Sequence, residues 1–143
     1  MTDRARQVKF AKVHLIALNM TLAIEFILGI ALTTLINFTP GKDDATQTGF
    51  LIAHIVLGAA LLIGATARLI IAFRARMLRI ISGAGLVSII VAFITGAVDA
   101  HNGSAVMAFL MGVFFVAALA LYGMGLVLLD QRSGSDEAVA SKI

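Results

Sequence analysis

Four long apolar stretches separated by short polar connections organise this chain. The first covers 13–38 and carries a single charge, Glu25, near its centre. The second covers 49–73 and is interrupted late by Arg68. The third covers 80–98 and stops at Asp99, and the fourth covers 105–129 and stops at Asp130. A helix needs about 20 residues to cross about 30 Å of hydrocarbon, and each stretch approaches or exceeds that length. None alternates with period two, and each is roughly twice as long as a barrel strand. The pattern predicts an all-α membrane protein: four transmembrane helices in an up-down antiparallel bundle over 13–129. A basic arm over 1–12 precedes the bundle, and a flexible polar tail over 130–143 follows it.

Composition supports this reading. The chain is 60% hydrophobic and 13% charged, against about 45–50% and 25% for a soluble domain. Its 143 residues leave no room for a separate soluble domain beside four spans. The absence of cysteine removes disulfides, iron–sulfur clusters and thiolate nucleophiles from consideration. The first stretch is longer than the roughly 7–15 apolar residues of a signal peptide and reads as a retained span.

The net charge of +3 is a topology signal. Arg4, Arg6, Lys9 and Lys12 precede the first span, and Arg68, Arg74, Arg76 and Arg79 surround the second connection. Arg132 and Lys142 lie in the tail, and only Lys42 falls on the opposite side. Lys and Arg accumulate on the cytoplasmic side, so both termini are expected in the cytoplasm, with the chain in a prokaryotic inner membrane. The bilayer is the expected partner, together with a second copy or a larger membrane complex. Nucleic acid is not.

The candidate chemistry lies on two helix faces. At 100° per residue, His14, Thr21, Glu25, Gly29 and Thr33 fall within about 120° on the first helix, with Asn19 at the margin. Such a stripe should face protein or water, because a charge at mid-membrane costs roughly 2.5–3.5 kcal/mol. Two readings stand: Glu25 is hydrogen-bonded packing, or it exchanges a proton for a cation. On the second helix Gln47, His54, Leu61 and Arg68 recur every seven residues, with Gly58 and Ala65 between them. Arg68 is expected to snorkel to the inner interface. Gly58 leaves a notch beside His54 that suits a planar ligand or a close helix contact.

The third helix is rich in small residues suited to packing. Met107 and Met111 open the fourth. Depth places His54, His101, Met107 and Met111 at the outer end. Glu25 is reckoned roughly 12 Å deeper than His54, out of hydrogen-bond reach. No nucleophile–base pair, phosphate loop or metal-spaced cluster appears, so neither a catalytic nor a metal site is assigned, and the reading leans against an enzyme.

Three resemblances accompany these residues. The segments LNMTLAIEFILGIALTTLINF, AHIVLG and SAVMAFLMGVFFVAALALY resemble a group of small four-span bacterial and archaeal membrane proteins with no assigned function. The layout, with His54 near the outer end of helix two, looks like the haem-binding four-helix modules of haem A synthase. That likeness implies haem b near His54, with Met107 or Met111 where those modules place a second histidine and His101 just before it. Glu25 followed by Gly29 is similar to the first helix of the small multidrug resistance transporters, although their tryptophan and third-helix signature are missing. The leading expectation is a non-catalytic binding or accessory module with a small hydrophobic or planar ligand, haem b in its specific form, around His54, Gly58, His101 and Met107. The alternatives are a proton-coupled transporter using Glu25 and a structural subunit of a membrane complex.

Overall fold

The computed structural model describes residues 3–32 and 45–140. Thr33 and the first connection with Pro40 and Lys42 lie outside the described residues, as does Lys142. Four helices follow one another: α1 (Asp3–Ile30), α2 (Ala45–Arg74), α3 (Arg79–Asn102) and α4 (Ala105–Ala140). All four are long and apolar enough to cross a membrane. The basic arm is already helical from Asp3, and α4 continues through the residues expected to form a flexible tail. No proline interrupts either segment, and Lys, Arg, Glu and Ala are good helix formers.

The connections follow from local chemistry. Gly103 ends α3 in the left-handed region (φ 62°), and its N–H donates to the Asp99 carbonyl. This is the glycine C-cap that leaves a helix carbonyl satisfied. The next turn begins at once, with Ala108 N–H donating to the Ser104 carbonyl, so α3 and α4 are tightly joined. Between α2 and α3 the backbone turns with Arg76 and Leu78 both at positive φ. Arg79 steadies that turn: its Nη2 donates to the Phe73 carbonyl at 3.2 Å, and its guanidinium lies over the Phe73 ring. A cation there also complements the C-terminal end of the α2 dipole.

The helices form a ring. α1 packs on α2 and α4, and α3 packs on the same two, most extensively on α4. The core holds Leu15, Leu22, Leu61, Ile89, Ala118 and Tyr122. The exterior is apolar as well: Ile63, Ile80 and Phe109 are among many large hydrophobic side chains left exposed. Buried polar side chains, by contrast, include Glu25, Gln47, Arg68, Ser82, Ser88 and Thr95. An apolar shell around polar interior groups is what a lipid-facing bundle requires. Ser88 and Thr95 bond back to carbonyls one turn earlier in α3, which satisfies their hydroxyls and leaves the small-residue face to pack on its neighbours.

One contact on that face is forgiving. A Cβ built on Gly96 stands 2.8 Å from the Met111 Sδ, but a thioether on a flexible stem can move aside. Gly96→Ala is expected to cost under about 1 kcal/mol, less than the usual overpacking range of about 1–3 kcal/mol. Thermal unfolding in detergent measures this.

Candidate functional site

The α1 stripe separates into bonded and unbonded members. His14 meets the Gly64 carbonyl of α2 through Nε2 at 3.0 Å. Asn19 donates to the Leu15 carbonyl and Thr21 to the Ala17 carbonyl. These three are satisfied by backbone, and Thr21 does not bond Glu25. Glu25 is the exception. It is 1% exposed, and its Oε1 lies 3.0 Å from Nδ1 of His54, whose side chain is 17% exposed. Its Oε2 has no hydrogen-bond partner among the described residues, and neither has His54 Nδ1, so the 3.0 Å approach is a close contact without hydrogen-bond geometry.

This pairing overturns the expected depth separation of Glu25 and His54. That reckoning set the ends of the apolar stretches, Phe38 and Gly49, at one level. The antiparallel register of α1 and α2 instead sets Glu25 against Gly58 and Leu18 against Gly64. The limits of an apolar run do not fix how two helices slide past each other.

The notch at Gly58 is real, and Glu25 uses it. A Cβ on Gly58 would stand 3.2 Å from Glu25 Oε1 and 3.4 Å from Phe93. The missing side chain therefore makes room for the carboxylate between α1 and α2.

Glu25 and His54 form one wall of a cavity of about 300 Å³, lined also by Phe93, Gly96, Met111 and Phe115 among others. They are the only polar side chains on that wall among the described residues. A smaller cavity, about 140 Å³, touches the other side of Glu25 between α1 and α4. A third, about 40 Å³, joins His54 and Met111 to Asp99, near the α3–α4 turn. Asp99 and His54 thus border the same small cavity.

The remaining candidates divide. Met111 lines all three cavities, whereas Met107 and His101 line none of them; His101 is exposed at the end of α3. The expected outer grouping of His54 with His101 or Met107 is replaced by His54 with Met111, one turn further into α4. No group of three or more His, Asp or Glu side chains that could hold a metal occurs among the described residues. Gln47, Leu61 and Arg68 fall on the buried face of α2 as their seven-residue spacing predicts. Arg68 does not snorkel, however. It is 1% exposed and turned into the bundle beside Tyr122, because its position in the stripe points inward well before α2 ends. Arg68 and Tyr122 are the polar pair that sequence reasoning missed; the lone tyrosine in an apolar span was its only signal.

No known family model matches the chain, and no similar curated protein or solved structure was found.

Proposed function

We propose that this chain is a membrane-embedded binding module for a small, largely apolar molecule bearing one cationic or hydrogen-bond-donating group. The observation that carries the proposal is the Glu25 carboxylate on the cavity wall, with one oxygen on His54 and the other unpartnered. A buried carboxylate without a second partner favours a ligand that donates to it. The rest of the wall is apolar and aromatic, which suits a hydrophobic body.

At about 300 Å³ the cavity is at the small end of ligand pockets and below what a tetrapyrrole needs. His101 and Met107 do not line it, while His54 and Met111 do, so the misfit with haem b is one of volume, and an absorption spectrum lacking a Soret band is the expected result for the purified protein.

Phenethylamine is a suitable probe, with phenylpropionate as a carboxylate of similar size. The amine is expected to bind the full chain in detergent, with the carboxylate excluded by charge. Equal binding of the two, or binding of neither, would count against the reading.

A second reading, proton-coupled transport, is favoured by one feature: Glu25 borders cavities on both of its sides. A carboxylate open to two compartments in turn could exchange a proton for a cation.

The orientation we propose follows the basic residues. The α2–α3 turn and both termini face the cytoplasm, and the membrane is the prokaryotic inner one. The chain has no cysteine, so single-cysteine labelling is clean. In intact cells, His101→Cys should react with a membrane-impermeant maleimide and Arg76→Cys should not. The reverse pattern would invert the topology.

A further inference from the structure

Away from the Glu25–His54 pair, three buried hydrogen-bonding side chains lie on three neighbouring helices. Arg68 of α2 is 1% exposed, and Ser82 of α3 and Tyr122 of α4 are 0% exposed. Among the described residues, Arg68 Nε and Nη2, Ser82 Oγ and the Tyr122 hydroxyl have no hydrogen-bond partner. Arg68 and Tyr122 lie within electrostatic reach of each other. The Tyr122 phenol rests on α3 at Gly85, where an added Cβ would stand 2.9 Å from the hydroxyl. Ser82 lies one turn before Gly85 on the same buried face.

A guanidinium does not give up its proton in a protein, so a buried one needs a counter-charge. No described carboxylate is placed to supply it. Glu25 lies against Gly58, and Arg68 follows ten residues later, about 15 Å along α2. Asp99 is at the other end of α3. Asp130 is two turns beyond Tyr122 and holds Lys12.

The geometry of the unpartnered atoms narrows the ligand. Nε and Nη2 lie on one edge of the guanidinium, the fork that takes two oxygens of a single oxyanion. The two hydroxyls add donors beyond the two oxygens of a carboxylate, which favours a tetrahedral group. Arg68 stands six residues, about 9 Å, before the end of α2, within reach of the headgroup level. The exposed Arg74, Arg76 and Arg79 draw anions to that end.

We infer that Arg68, Ser82 and Tyr122 form a phosphate-binding site, occupied by a lipid headgroup phosphodiester or by free inorganic phosphate. This inference is independent of the cavity at Glu25.

Tyr122 is the only tyrosine, and there is no tryptophan, so its ultraviolet emission in the full chain reports on this site alone. The experiment titrates delipidated protein in non-ionic detergent with inorganic phosphate and, separately, with phosphatidylglycerol in mixed micelles. Chloride at matched ionic strength is the reference. A saturable change in Tyr122 emission with phosphate, with phosphatidylglycerol or with both, beyond that given by chloride, supports the site, and the responding arm identifies the source. Arg68→Lys keeps the charge but loses the fork, and should weaken binding by about tenfold or more. Ser82→Ala, a mild change that carries the test if the lysine variant fails to fold, should weaken it by about 2- to 10-fold. No response in either arm, a response no larger than that to chloride, or wild-type affinity in both variants overturns the inference.

Discussion

Glu25→Gln is expected to fold normally and to lose amine binding at the cavity by roughly 10- to 150-fold. The size follows from hydrogen bonds to charged groups, which are worth about 1.5–3 kcal/mol, with each 1.4 kcal/mol a factor of ten in affinity. Glutamine has nearly the same volume and keeps the close contact with His54 Nδ1, so the packing against Gly58 survives. What disappears is the carboxyl oxygen left without a protein partner. Calorimetric titration with phenethylamine measures the loss, and helical circular dichroism checks the fold. Wild-type affinity in this variant would remove Glu25 from the site. Glu25→Ala should behave differently: it strips His54 of its partner and enlarges the cavity, so stability falls as well.

His54 acts through Glu25 in this scheme. The two are in direct contact at 3.0 Å, and contacting residues couple by about 0.5–3 kcal/mol in double-mutant cycles. Binding measured in Glu25→Gln, His54→Gln and the double variant should therefore be non-additive. Additive losses would mean that the two residues serve separate sites.

The fold was legible because lipid imposes a strong constraint: four apolar runs of spanning length leave little choice but four helices. The buried face of α2 was legible too, since Gln47, Leu61 and Arg68 recur with the period of a helix face. The site was legible only in pieces. Glu25, His54 and Gly58 each stood out by type and position, but their meeting depends on the register of α1 against α2, and hydrophobicity carries no signal for that register. Met111 rather than Met107 faces His54 for a related reason: one turn of helix separates them, and only the register between helices chooses. The Arg68 cluster was hidden by a sound general rule. Arginines near helix ends usually snorkel, and only the packing of Tyr122 on Gly85 shows that the interior has a hydroxyl beside the guanidinium.

That packing gives the largest stability effect expected in the molecule. A Cβ on Gly85 would stand 2.5 Å from Tyr122 Cζ and 2.8 Å from Cε1, well inside any tolerable contact. Unlike Met111 beside Gly96, a phenol ring cannot bend away, and Tyr122 is fully buried. Either the ring must leave its place or α3 must separate from α4, where the bundle packs most extensively. Overpacking of this kind costs about 1–3 kcal/mol and occasionally more. The higher helix propensity of alanine returns up to about 1 kcal/mol. With the collision at the upper end of that range, Gly85→Ala should lose about 2 kcal/mol net, a clear drop in thermal stability beside a nearly silent Gly96→Ala. The steric origin has its own signature. Tyr122→Leu removes the ring atoms that collide, so adding it to Gly85→Ala should recover stability, although each change alone destabilises. If the double variant is less stable than either single one, the ring does not rest on Gly85, and the grouping of Arg68, Ser82 and Tyr122 falls with it.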